Sequence, residues 1–408
     1  MDVVMARALA SPEGLSLLDA LPPYSPSEAE RVGRELRAGG IAPELVAAVL
    51  TQSRLRADAR AKFGDFAAGM LLTQAGLEQA TRLQVAALHA QRFRAAGAHR
   101  IADLTCGIGA DAMAAAALGL GVTACERDEA TALFADHNLR HWDDARVVHA
   151  DAMDVAHALD VDGIFADPAR RTARGRRHDP RDYSPALDAV LALRERVPAL
   201  GVKVGPAIPH EAVPEDAEAE WVSVEGAVVE AGLWCGPLAT TAGHAALVID
   251  SAGAHRLTGS TDRAAAGDLG EHLYEPDGAV IRAGLVGELA QRLGARLVDP
   301  TIAYLATDAA VETPFARGYR VVEALPFKVK SLAGALRERG IGTVDIKKRG
   351  VDITPEQLRP QLRLRGDGRI TVILTRIGDR RLALLAEPHH RRPAHEAAHP
   401  TSRRSGPS

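Results

Sequence analysis

Apolar positions along the chain change their period twice, and each change marks a different kind of structure. Up to residue 96 they recur at helical spacing. Pro43-Glu-Leu-Val-Ala-Ala-Val-Leu50 carries that spacing with Pro at its opening, where no backbone N–H is needed. Ser25-Pro-Ser-Glu28 reads as another helix start, with a Ser cap and a Glu three residues on. A third is expected to open at Gly76-Leu-Glu-Gln79-Ala-Thr81, with Leu83, Val85, Ala86 and Leu88 on its buried side. From 97 to 250 short apolar runs alternate with helical segments, as a doubly wound α/β sheet requires. Trp221–Glu225 and Val228–Trp234 follow one another without a crossover helix and read as an antiparallel hairpin, and Ala245–Ile249 closes the sheet. Between 255 and 388 helical signals at Ala279–Leu293 and Lys330–Arg339 mix with extended runs at Tyr319–Ala324, Thr343–Ile346, Ile370–Leu374 and Arg381–Leu385, a small α+β domain. The His-, Arg-, Pro- and Ser-rich tail, 389–408, is expected to be disordered.

Four strand ends in the middle region carry polar residues in order. The first strand runs into Asp103-Leu-Thr-Cys-Gly107-Ile-Gly109-Ala-Asp111, a glycine-rich turn that opens a small-residue helix. Such a turn lets backbone approach a ligand closely and aims free N–H groups at it. The second ends at Glu126, where a cofactor ribose is expected. The third ends at Asp151-Ala152 and the fourth at Asp167-Pro168-Ala169-Arg170. Ligands of open α/β sheets bind at that carboxyl edge.

The glycine pattern fits a dinucleotide as well as S-adenosylmethionine (SAM). Asp103 separates them. An ionised carboxylate before the turn repels a pyrophosphate by roughly a kcal/mol or more in a partly shielded site. It attracts the ammonium and sulfonium of SAM. A nicotinamide dehydrogenase therefore ranks below a SAM enzyme.

With these motifs, residues 97–250 resemble a class I SAM-dependent methyltransferase, whose sheet is Rossmann-like. The resemblance implies that Gly107 and Gly109 cradle the methionine end of SAM, Glu126 takes the ribose hydroxyls, and Asp151 with Ala152 takes the adenine. It implies that the residues after the fourth strand border the methyl acceptor. The helix at 76–88 leads into the first strand, so Gln79 and Thr81 are candidate polar contacts to the cofactor. The whole chain is similar to a bacterial group that joins this domain to a C-terminal THUMP-like domain, here 255–388, after a helical N-terminal region, 1–96. THUMP domains belong to RNA-modifying enzymes.

Composition agrees. A chain of 408 residues has room for two or three cores. Its three cysteines, none in a C-x-x-C pair, argue against disulfide scaffolds and metal sites. No apolar run has membrane-spanning length and no signal peptide opens the chain, so a cytoplasmic protein is expected. The net charge of -4 announces no nucleic-acid binder, but Gly318 to Arg381 holds fifteen Lys and Arg against seven Asp and Glu. That local excess suits RNA phosphates, with Lys347, Lys348 and Arg349 as candidate contacts.

Amino-methylating relatives carry Asp or Asn, Pro, Pro and an aromatic residue where this chain has Asp167, Pro168, Ala169 and Arg170. Asp167 and Pro168 are kept, and Arg170 replaces the ring with a flat guanidinium that can stack or hold a phosphate. Arg171 and Arg174 add cation beside the acceptor, and Tyr183 is a candidate substitute ring. A covalent route through cysteine is disfavoured because none follows the strand at Gly201–Val204. The expected activity is direct methyl transfer to a base nitrogen of tRNA or rRNA. Its rivals are a methyltransferase of proteins or small molecules and a non-catalytic SAM- and RNA-binding protein.

Overall fold

The computed structural model describes residues 2–169 and 183–389, with the backbone alone of 171, 172, 175 and 176. Arg170, Arg174, the Arg171 side chain and the tail from 390 onward lie outside the described residues. Two compact units divide the chain: Met1–Glu218 with Ala231–Gly243, and Ala219–Glu230 with His244 onward.

The first unit opens with α1 (Val3–Ala10), α2 (Pro12–Asp19), α3 (Ala29–Ala38), α4 (Pro43–Phe63), α5 (Gln74–Gln79) and α6 (Leu83–Ala95). Pro43 does sit in the first turn of α4. Ser25 does not cap α3: its hydroxyl bonds that of Ser27, its carbonyl accepts from Glu28 and Ala29, and the helix starts at Ala29 after this turn. The helix expected from Gly76 onward is two. Thr73 caps α5 three residues earlier, and Lys62 Nζ collects the carbonyls of Leu77, Glu78 and Ala80 at 2.6–2.9 Å, which ends it.

The sheet follows: β1 (Arg100–Asp103), α7 (Ala110–Ala117), β2 (Gly121–Glu126), α8 (Glu129–Leu139), β3 (Ala145–His149), α9 (Ala152–Val155), β4 (Gly163–Ala166), a two-residue pair β5 (Arg171–Thr172) and β6 (Gly175–Arg176), α10 (Leu187–Ala192) and β7 (Ala199–Val204). Strand order is β3-β2-β1-β4-β7, all parallel, with residues 231–234 of β9 (Ala227–Trp234) antiparallel beside β7. Both faces of β4 and β7 are buried, as parallel strands covered by helices must be. Gly201 allows Trp234 to lie on the sheet; a Cβ there would meet its ring at 2.5 Å. Trp234 in turn stacks on Phe165 and meets Phe93 edge-on.

The second unit contains β8 (Glu218–Val224), the start of β9, β10 (Gly243–Asp250) and β11 (Gly253–Thr258) in the order β11-β10-β8-β9. The hairpin reading of β8 and β9 holds, since the two are neighbours, but β10 does not close the sheet because β11 pairs with it. Then come β12 (His272–Pro276), α11 (Gly278–Arg282), α12 (Val286–Leu293), β13 (Arg296–Asp299), β14 (Ile302–Thr307), β15 (Ala316–Pro326), α13 (Val329–Glu338), β16 (Ile341–Lys348), α14 (Pro355–Leu362), β17 (Gly368–Ile377) and β18 (Arg380–Pro388). They build a second sheet, β13-β14-β12-β15-β18-β17-β16, antiparallel except for β16 beside β17. Leu332, Leu336, Leu358 and Leu362 of α13 and α14 cover one face through Val344, Ile346, Val372 and Leu374. The sheet curls, so that Asp299 at the end of β13 accepts from Gly378 N at 3.0 Å and Thr301 accepts from Arg376 at 2.8 Å. Among the described residues, no helix is long and apolar enough to cross a membrane.

Candidate active site

The four polar strand ends meet in the first unit. Gly107 (φ 56) and Gly109 (φ 87) hold left-handed backbone that other residues resist, and Gly109 caps α7. A Cβ built on Gly107 would have no atom within 4 Å, so the turn borders open space. Glu126 secures it: its carboxylate accepts from Gly107 N at 3.1 Å and from Asp128 N at 2.8 Å. Thr105 ties the turn to the fourth strand, its hydroxyl accepting from Asp167 N at 2.6 Å. Asp151 caps α9 by accepting from Met153 N, with Ala152 buried behind it.

Asp103 is buried, and one carboxylate oxygen, Oδ2, has no hydrogen-bond partner. Burial, then the charge of Asp111, pushes its pKa well above the ordinary value. Together with the open space at Gly107, this is a cradle suited to a cationic amine. The residues present fit SAM.

Sequence reasoning missed the network beneath. Lys203, in the buried strand β7, reaches Asp167 Oδ2 at 2.6 Å and Thr81 Oγ1 at 2.9 Å. Thr81 donates to Asp111 Oδ2 at 2.7 Å, and Asp111 Oδ1 bonds His89 Nδ1 at 2.8 Å. Burial works against the Asp111 carboxylate, but the His89 hydrogen bond and charge, Lys203 and Thr81 outweigh it and lower its pKa. Burial and the charge of Lys203 push Lys62 down to about 8. The available signal was a lysine in the otherwise apolar Gly201-Val-Lys-Val204. Gln79 is exposed at the end of α5, and its carbonyl accepts from Lys203 at 3.4 Å.

Asn138, from α8, was also missed. Its buried amide bonds Leu71 N, Leu71 O and Ile108 O at 2.8–3.0 Å, joining the extended segment after α4 to the glycine turn. Gly76 packs on Ile108 from the other side. Pro168 is buried, and Ala169 pairs with Ser184 through both backbone bonds, so buried Tyr183 lies beside that bridge. Cys106, Cys125 and Cys235 are free and buried.

In the second unit, Lys347 and Arg349 both approach Glu275, at 3.9 and 3.4 Å, while Lys348 is exposed. The three cations therefore do not form a single row.

Residues 316–388 match a family described as THUMP domain-like, and residues 2–59 match a domain family of unknown function. Two relatives from Mycobacterium tuberculosis, strains CDC 1551 / Oshkosh and ATCC 25618 / H37Rv, are each described as an uncharacterized S-adenosylmethionine-dependent methyltransferase. Each is 35% identical over 353 residues, which is 84% of this chain and 95% of the relative. Among solved structures, that of a candidate methyltransferase from Porphyromonas gingivalis W83 shares the fold, with a TM-score of 0.70 and 21% identity over 90% of this chain and 100% of that one.

Proposed function

The chain belongs to the S-adenosylmethionine-dependent methyltransferases, and from that premise we propose that it methylates a base nitrogen of RNA, tRNA or rRNA, in the cytoplasm. SAM supplies the electrophilic methyl group. The observation that carries the RNA reading is the THUMP domain-like segment at 316–388, in a stretch where cations outnumber acids. Phosphate attraction is the general source of RNA affinity. Lys347, Lys348 and Arg349 are its contacts in this reading, with Arg171 and Arg174 beside the acceptor.

At the cofactor, Asp103 binds the methionine ammonium, Gly107 and Gly109 leave room for the chain to approach it, Glu126 takes the ribose, and Asp151 with Ala152 the adenine. Thr81 contributes through its bonds to Asp111 and Lys203, and Gln79 through its exposed side chain. Asp167 and the Pro168 carbonyl accept hydrogen bonds from the attacking amine, and Arg170 holds the base or its phosphate. Catalysis is mainly by positioning: an oriented nucleophile needs no covalent intermediate with the protein.

The test is incubation of the full chain with labelled SAM and total RNA from cells lacking it, followed by mass spectrometry of the nucleosides. A base-methylated nucleoside is expected. Label confined to ribose, or to added protein and small molecules with none in RNA, would overturn the reading.

A further inference from the structure

The strand β7 places one cation inside a ring of acids. Lys203 is buried, yet its ammonium pairs with Asp167 at 2.6 Å, donates to Thr81 at 2.9 Å, and through Thr81 meets Asp111. The Asp167 side chain is a quarter exposed, more open to solvent than Asp111 at 13% and than buried Asp103. A buried ammonium is costly to desolvate and is retained only where its partners are fixed. Here they are: Thr81 is anchored by Asp111, and Asp111 by His89.

We propose that Lys203 is a positioning residue for methyl transfer, holding the Asp167 carboxylate ionised and in one orientation for the acceptor amine. The proposal rests on the reading of Asp167 given under the proposed function. A second anchor acts on the same loop, because Asp167 N donates to Thr105 in the glycine turn. The backbone of residue 167 is thus set by the cofactor turn and its side chain by β7. An opposite charge at this distance favours the ionised carboxylate, the form that accepts a hydrogen bond from an amine. Without Lys203 the carboxylate loses the cation 2.6 Å from Oδ2, and the amine loses its orientation.

The test compares Lys203→Met, Asp167→Ala, their double variant and Lys203→Arg in the full chain. Turnover on RNA from cells lacking the protein is read beside SAM affinity by calorimetry. Lys203→Met is expected to lower kcat by about 100-fold, the scale on which positioning and single electrostatic interactions act. SAM affinity should stay within about threefold of the native value, a shift well below the tenfold that 1.4 kcal/mol of binding energy represents. The double variant should be no slower than Asp167→Ala, and Lys203→Arg should recover most of the rate. Native kcat in Lys203→Met beside an inactive Asp167→Ala overturns the role of Lys203 alone, as does a double variant that loses the product of both effects. Full activity in Asp167→Ala overturns the reading of Asp167 instead. If Lys203→Met fails to fold, Thr81→Val decides: it keeps the ammonium but removes its anchor, a lower kcat at saturating SAM supports the proposal, and a native kcat contradicts it.

Discussion

The Gly107 amide donates to Glu126 Oε2 at 3.1 Å, so the turn after β1 and the end of β2 form one hydrogen-bonded unit. Because the same carboxylate also receives Asp128 N, it is aimed before any ribose arrives. Glu126→Ala should therefore weaken SAM binding by about 10-fold or more, the effect expected when a charged hydrogen-bond acceptor is removed. Calorimetric titration measures it, and an unchanged Kd removes Glu126 from the cofactor site.

With Asp103 as the proposed contact to the methionine ammonium, SAM binding should depend on pH. Its folded pKa is raised, first by burial and then by Asp111, so the free protein holds it protonated above the unfolded value of about 3.9. Its contribution to stability is full below that value and is lost as pH rises through the folded pKa. A cationic ligand favours the ionised form, so binding releases a proton and affinity rises with pH over the same window. Asp103→Asn should bind SAM more weakly, lose that pH dependence, and make the free protein more stable than the native chain at high pH. Titrations in buffers of different ionisation enthalpy measure the proton release; none released would contradict the assignment.

Asn138→Leu should damage both stability and binding. It orphans Leu71 N, Leu71 O and Ile108 O, all buried. At about 1–3 kcal/mol for each unsatisfied group, a loss of about 3 kcal/mol or more is expected in denaturant unfolding. SAM should bind more weakly as the turn loosens. A loss under about 1 kcal/mol would mean the segment finds other partners.

The glycine turn, Glu126, Asp151 and Asp167 were legible in sequence because each ends a short apolar run at the same sheet edge. Asn138, Lys203 and Asp111 were not. Asn138 lies in the last turn of α8 and Asp111 in the first turn of α7, where a polar residue ordinarily faces solvent; only the fold turns them inward. The same limit applies in the second unit. Gly284, with φ 74, splits the helix expected over Ala279–Leu293, and β11, β12 and α14 leave little local signal because each is short and mixes polar with apolar residues. The Ser25 cap failed because a local turn competes for the same groups.

Glu275 restrains two of the cations proposed for RNA, Lys347 and Arg349. Glu275→Gln should therefore strengthen RNA binding, whereas Lys348→Glu should weaken it. Removing one Lys–phosphate pairing should reduce the slope of log K against log salt by about 0.7–0.9. Binding measured across a salt series checks both; a Glu275→Gln protein with weaker affinity would place the RNA elsewhere.

In the reading proposed above, the carboxyl edge of β1, β2 and β3 holds the methyl donor with its reactive end toward Asp167. A crystal structure of the full chain with SAM tests it most directly. The methionine amine is expected on Asp103, the ribose on Glu126, the adenine at Asp151 and Ala152, and the methyl group facing Asp167. Density for SAM away from this edge, or a methyl group turned away from Asp167, would contradict it.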